Sequence, residues 1–473
     1  MIRMISPNNI SNRILKLQLL LLLFTISVLW RRYWRNTHQN KIILNDHSKM
    51  SAINETHLSQ YMFRQARNFN EINYINHVSF VNTLLYLQST SCAFHHCSFK
   101  NSQIYVKGSG TTINIFFEST WTGGYNLSIT IEDCRAVHFS KSNFIDIYGY
   151  HDPVLILSNN TEVYMKDCCF ENILRYRVFA DHSDLIYFNN ISLRNIKVYK
   201  PNQDGMILLF SIKESKVIIM ANSHFKNIFF SVLRLVGIID TRLLNTTFVN
   251  CLCPLRININ KSELSLRVLI LQSNFISCLC KSGGSLGIIL MKNSDTYSKT
   301  RRVRLHENLP TIQKLSITIT YSIFYTCHSE LNGGALDIEH SFKILNVTMQ
   351  VTNSSFYNNT SRKQGGGVFI TDTNLVLIKH CTFISNTAVN GGALASQRID
   401  KILCVYNNFF KNKAFGHGGA IAVNLAFNHK LDTVKNSVNL HDKVITTDDT
   451  NQMFNYYQSK TVLIYVNSLR DNF

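Results

Sequence analysis

One repeat limits what this chain can fold into more than any other feature. Three times between about residues 324 and 424, a Phe-x-x-Asn segment is followed by a Gly-Gly pair and a short apolar run. The copies read Phe356-Tyr357-Asn358-Asn359 with Gly366-Gly367-Val368, Phe383-Ile384-Ser385-Asn386 with Gly391-Gly392-Ala393, and Phe409-Phe410-Lys411-Asn412 with Gly418-Gly419-Ala420. Two upstream copies end in Cys instead: Phe275-Ile276-Ser277-Cys278 with Gly283-Gly284, and Phe324-Tyr325-Thr326-Cys327 with Gly333-Gly334. The phenylalanines step by 27 (356 to 383) and by 26 (383 to 409). Self-similarity at such a period marks a solenoid, and this period is too short for a pair of helices per unit. Runs such as Leu375-Val376-Leu377-Ile378 and Val217-Ile218-Ile219-Met220, broken by Gly, Asn and Ser, read as strands.

A unit of this length accommodates three short strands and three turns, the coil of a parallel β-helix. Phe275, Phe324, Phe356, Phe383 and Phe409 are then expected to stack from coil to coil as a core ladder. Asn359, Asn386 and Asn412 are expected in a turn, where Asn tolerates the left-handed region, with their amides bonded along the stack. The pairs Gly333-Gly334, Gly366-Gly367, Gly391-Gly392 and Gly418-Gly419 are expected to supply positive φ or close backbone approach at a tight corner.

These residues resemble the repeat of polymorphic outer membrane proteins of chlamydial type, over about residues 275–425, with degenerate copies over about 75–275. The resemblance implies an all-β, right-handed parallel β-helix of pectin-lyase-like architecture. Proteins of that family end in a membrane barrel, and nothing after Asn424 here is long enough to form one, so an outer-membrane role does not carry over. At the repeat period, residues 76–425 hold about 13–14 coils. Residues 31–75 read as a polar stalk or N-terminal cap, and residues 426–473 as a C-terminal cap or tail, with Thr461 to Val466 able to add a strand.

The N-terminus carries Arg3, Arg13 and Lys16 ahead of an apolar run from Leu17 to Trp30. That run is short for a bilayer span, which takes about 20 residues, and suits a signal peptide core or an uncleaved signal anchor. Ten Asn-x-Ser/Thr sequons downstream of the apolar run agree with a secretory route: Asn54, Asn126, Asn159, Asn190, Asn245, Asn260, Asn346, Asn353, Asn358 and Asn359, the last expected to be buried in the ladder and unmodified. The net charge of +19 suits acidic glycans or another surface protein as partners. No long block of like charge appears, which argues against nucleic acid. Membrane contact is expected only through residues 17–30, if they are retained. Lys299, Arg301, Arg302 and Arg304 fall in an insertion that stretches one repeat step to 49 (Phe275 to Phe324), read as a projecting basic loop.

Cys251-Leu252-Cys253 and Cys278-Leu279-Cys280 lie one coil apart. Equivalent positions on neighbouring coils are about 4.8 Å apart, inside the range a disulfide tolerates. Cys251–Cys278 and Cys253–Cys280 are therefore both allowed bonds in an oxidising compartment, with a reduced thiol ladder the alternative. No residue is assigned as catalytic. Counting from each Gly pair places Glu339 beside Asp372, the pair of carboxylates whose expected spacing matches a retaining glycosidase or a shared calcium ion. Gly416-His417-Gly418 resembles a polygalacturonase segment but lacks the Asp clusters such enzymes need. No cofactor or metal is called for. The expected function is a non-catalytic extracellular or cell-surface β-helix engaged in adhesion or glycan recognition. The alternatives are a polysaccharide lyase or hydrolase, and a purely structural surface protein.

Overall fold

The computed structural model describes residues 40–45, 62–64, 72–123, 127–147, 155–173, 178–196, 208–259, 265–280, 284–290, 314–340, 346–425, 437–439 and 461–470. Residues 17–30, the basic insertion with Lys299, Arg301, Arg302 and Arg304, and the sequons Asn54, Asn126 and Asn260 lie outside them. The described residues are strands and tight corners, paired almost throughout in parallel, as a β-helix requires. Among them no helix is long and apolar enough to cross a membrane. The chain divides into two compact units, Met1–Tyr187 and Phe188–Phe473.

In the first unit each coil contributes three strands. Cys92–His95, Ile113–Phe117, Ala136–Ser140 and Glu162–Lys166 form one parallel sheet. Ser79–Val81, Ser98–Lys100, Thr120–Gly123, Asn143–Ile147 and Cys169–Glu171 form a second. Thr83–Gln88, Gln103–Lys107, Ser128–Glu132, Leu155–Ser158 and Val178–Asp181 form a third. Asn40–Asn45 pairs in parallel with Thr83–Gln88, so the segment read as stalk or cap supplies a strand of its own. Alternate residues point inward, as the strand period of two dictates. The inward residues build two aromatic columns. Phe80, Phe99, Trp121, Phe144 and Phe170 stack in one, with centroids 4.0 Å apart at Phe99–Trp121 and 4.5 Å at Phe144–Phe170. Phe94, Phe116 and Phe139 stack in the other, and Phe116 meets Trp121 edge-on.

In the second unit the coils between Ser265 and Ile399 carry four strands, where three were expected. Ser355–Tyr357, for example, is followed by the two-residue strand Thr360–Ser361 and then by Val368–Thr371, before Leu375–Lys379 begins the next coil. The extra short strand lets the chain make one more corner, and the glycines serve that corner. Phe225, Phe248, Phe275, Phe324, Phe356, Phe383 and Phe409 stack in one column with centroids 4.7–5.0 Å apart. Each is fully buried, and a buried Phe contributes about 1.5–3 kcal/mol.

Beside that column runs the amide ladder. Asn386 Nδ2 donates to Phe356 O (2.9 Å) and to Asn412 Oδ1 (2.9 Å). Its Oδ1 accepts from the backbone N and the Nδ2 of Asn359, both at 3.0 Å. Every donor and acceptor of this buried side chain is used. Asn359 repeats the pattern toward Phe324 O and Cys327 N, and Asn412 toward Phe383 O and Asn386 N. The left-handed backbone sits one residue earlier than expected, at Asn358 (φ 53°), Ser385 (53°) and Lys411 (52°). The ladder amide must face the interior, so the outward residue before it takes the corner.

The glycine register also needs correction. Gly365, Gly391 and Gly418 share positive φ (64°, 62° and 66°), as does Gly333 (57°). The pair in the first copy is therefore Gly365-Gly366, and Gly367 occupies the slot of Ala335, Ala393 and Ala420. The second glycine of each pair has no room for a side chain. A Cβ on Gly334, Gly366 or Gly392 would lie 2.1–2.2 Å from a carbonyl of the next coil. Beyond Asn424, Ser437–Asn439 pairs antiparallel with Ile421–Leu425, and Thr461–Arg470 pairs in parallel with Lys401–Phe410.

Candidate functional site

The residue after each core phenylalanine of the second unit points outward. Register aligns Val249, Ile276, Tyr325, Tyr357, Ile384 and Phe410 on successive strands. None of the six is buried, and Tyr325 is 43% exposed. Ile323 on the strand of Tyr325 (42%) and Tyr321 at the corner before that strand (57%) are exposed as well. The row is contiguous because the strands are in register, so six side chains at about 4.8 Å spacing form one apolar strip.

A polar row borders the strip. Ser277, Thr326, Asn358, Ser385 and Lys411 hold the outward corner one residue beyond, and the first four donate their backbone N–H to the carbonyl of the strip residue on the next coil. Ser277 Oγ and Thr326 Oγ1 are 3.0 Å apart. Lys411 Nζ lies 4.9 Å from the centre of the Phe410 ring, and Lys413 Nζ 5.0 Å from that of the exposed Phe415.

A second polar grouping lies on the outer face of the sheet that follows the glycine corner. Register places Arg234, Arg256, Gly287 and Asp337 side by side on four strands. Asp337 is buried, and its Oδ1 has no hydrogen-bond partner; Asn332 Oδ1 is likewise buried and unpartnered. Asn332 Nδ2 donates to Glu339 Oε1 at 2.9 Å. Burial pushes the Asp337 carboxyl well above the ordinary range; the charge of Glu339 adds to this and Arg256 opposes it. Burial lowers the pKa of Arg256, as does Arg234, while Asp337 and Glu339 act the other way.

Glu339 and Asp372 are not neighbours. With Gly365-Gly366 as the pair, Leu336 aligns with Val368 and Ile338 with Ile370, which sets Glu339 opposite Thr371. Asp372 stands at a corner and forms a bidentate ion pair with Arg398, 2.5 Å at each oxygen. The count that set Glu339 opposite Asp372 is therefore off by one residue. His417 is exposed, and its backbone N–H donates to Asn390 Oδ1. Among the described residues no three His, Cys, Asp or Glu side chains gather to hold a metal.

Of the two candidate disulfides, Cys253–Cys280 is formed, with Cα atoms 4.6 Å apart. Cys251 and Cys278 are free and buried. Their thiols point at the carbonyls of Phe225 and Phe248, and Cys327 does the same toward Phe275. Burial pushes the Cys251 thiol up to about 12. The sequon residues Asn159, Asn190, Asn245, Asn353 and Asn358 all occupy exposed corners with φ of 46–53°. At Asn190, Asn245, Asn353 and Asn358 the pattern has a structural origin: an outward left-handed Asn, an inward residue, then a strand that opens with Ser or Thr. Asn346 is exposed too, and Asn359 is buried in the ladder.

No protein-family model matches the chain, and no solved structure matches it. One curated relative is a transmembrane domain-containing protein of Dictyostelium discoideum, 23% identical over 159 residues, 31% of this chain. The chain spans 9% of that protein's length.

Proposed function

We propose that this chain is a secreted or cell-surface β-helix that recognises glycans without catalysis, through the outward strip from Val249 to Phe410. The observation that carries this reading is the pairing of the strip with its polar border. A pyranose ring presents an apolar C–H face and hydroxyls around its edge. Tyr325 and Tyr357 offer ring faces of matching size, while Thr326, Asn358 and Ser385 offer hydrogen-bonding groups one residue away. An exposed apolar row on a soluble face marks an interaction site, and Lys411 and Lys413 bias it toward acidic sugars. Exposed sequon corners support a secretory route, as does the apolar run of residues 17–30. The printed name of the Dictyostelium relative is compatible with a membrane or surface setting. The likeness to chlamydial-type repeats belongs to the same reading.

The test is glycan-array binding by the chain purified from secretory eukaryotic cells, compared with a Tyr325→Ser/Tyr357→Ser variant. Selective binding that falls at least tenfold in the variant is the expected result. A blank array, or binding that the variant retains, would remove the strip as a glycan site. An intact variant is recognised by an unchanged melting temperature, because both side chains lie outside the core.

A further inference from the structure

The row that forms the strip continues beyond Val249. The same register carries it back to Lys226 and then to Arg194, on the two strands before. Both side chains are exposed, and among the described residues neither meets a carboxylate within ion-pair distance. His224 stands two residues before Lys226 on the same strand. Burial lowers its pKa, and the charges of Arg194 and Lys226 lower it further. Like charges held on neighbouring strands repel, so this end of the row is open to an anion. The far end is cationic too, where Lys411 and Lys413 are exposed beside the rings of Phe410 and Phe415. Between the ends, neither the row after each core phenylalanine nor the row before it, from Ser192 and His224 to Asn408, carries an Asp or Glu. Seven register steps separate Arg194 from Phe410, about 34 Å at the strand spacing.

Resting on the glycan reading of the strip, we propose that its ligand is a linear polyanionic glycan laid along the row, with acid groups held by Arg194 and Lys226 at one end and by Lys411 and Lys413 at the other. Arginine meets a carboxylate with a matched fork of N–H groups, and lysine offers a point charge to any acid group. Tyr325 and Tyr357 face the sugar rings between the two ends. A glycan laid across the row would meet one cationic end at most. Only one laid along it meets both, and the second contact then forms at the high effective concentration set by the first. The acid groups can be uronic carboxylates or sulfate esters, and both present an oxyanion to the same cations.

The experiment is calorimetric titration of the full chain with four probes: a galacturonate octasaccharide, a heparin-type sulfated octasaccharide, a neutral malto-octasaccharide and a galacturonate disaccharide. Arg194→Gln/Lys226→Gln and Tyr325→Ser/Tyr357→Ser variants are run beside the parent. All four side chains lie outside the core, so both variants keep the parent melting temperature. The expected result is an acidic octasaccharide bound at least tenfold more tightly than the neutral one and than the disaccharide. That preference should vanish in Arg194→Gln/Lys226→Gln and shrink as salt is raised. Binding of one acidic octasaccharide alone assigns the site to its acid group, carboxylate or sulfate; equal binding assigns it to both. Equal affinity for acidic and neutral octasaccharides, or an acid preference that Arg194→Gln/Lys226→Gln retains, overturns the proposal and leaves the strip reading standing. Acid binding that Tyr325→Ser/Tyr357→Ser leaves unchanged removes the strip reading, and with it a ligand laid along the row. No binding by any octasaccharide overturns both.

Discussion

The position three residues after the core aromatic is buried in both units, but the two units fill it differently. In the first unit it holds Thr83 after Phe80 and Ser102 after Phe99, with Ser102 Oγ donating to Phe80 O and accepting from Thr83 N, and further along the apolar Ile147 after Phe144 and Ile173 after Phe170. In the second it changes along the chain: Ile228 after Phe225, then Cys251, Cys278 and Cys327, then Asn359, Asn386 and Asn412. An isoleucine there needs nothing from its neighbours beyond packing. An asparagine needs an amide on the next coil and a carbonyl on the one before, and it has both only where the coils repeat. The thiols stand between these cases, each donating weakly to one carbonyl. Aromatic stacking therefore holds coils together within each unit, while in the second unit the amide ladder adds register beside the glycine corner.

The largest effect is expected at that corner. Gly392→Ala would push a Cβ to 2.2 Å from Gly419 O and 2.6 Å from Lys413 O, both backbone atoms that cannot yield. A loss of about 4 kcal/mol or more is expected, read by denaturant unfolding. Asn386→Leu comes next. It strips an acceptor from Asn359 and a donor from Phe356 O, and should cost about 3 kcal/mol. The reciprocal change sharpens the contrast. Ile173→Asn places an amide where no ladder exists, and a similar cost of about 3 kcal/mol is expected. If Ile173→Asn were neutral, the ladder would not depend on its neighbours, and the distinction between the two units would fail.

Cys327→Asn should be nearly neutral, within about 1 kcal/mol. Cys327 N already donates to Asn359 Oδ1, and the new amide finds Phe275 O where the thiol now points. The ladder would gain one rung. The smallest effect is a pH dependence at Asp337. Its folded pKa is raised above the unfolded one, so the native state holds the proton more tightly. That stabilisation is present in full below the unfolded carboxyl range and is lost as pH rises through the folded value. Asp337→Asn should therefore gain on the parent as pH rises above about 4 in thermal unfolding; a difference that stays constant with pH would remove the assignment.

Much of this architecture is written in the repeat. Phe356, Phe383 and Phe409 at a fixed step specify a stacked column, and Asn386 beside Asn412 specifies a ladder, because both follow from period alone. The strip was equally accessible: Tyr325, Tyr357, Ile384 and Phe410 each stand one residue after a motif phenylalanine, and strand alternation sends them outward. Three features were not legible. Three consecutive glycines at 365–367 hide which one takes positive φ, and the one-residue slip moved Glu339 away from Asp372. The left-handed corner falls on Ser385 and Lys411, residues that carry no left-handed preference of their own. Arg256 and Asp337 meet across Gly287 only through two loops of unequal length, and no local pattern joins them.

The register of the Phe strands is the claim on which the ladder, the strip and the glycan reading all depend, and cysteine cross-linking tests it most directly. Tyr357→Cys combined with Ile384→Cys places two thiols on register partners, within the distance a disulfide spans. Tyr357→Cys combined with Phe410→Cys places them one strand further apart. Under mild oxidation of the folded protein, peptide mapping should find the first pair linked in high yield and the second essentially unlinked. Equal yields, or a preference for the second pair, would contradict the parallel in-register β-helix described here.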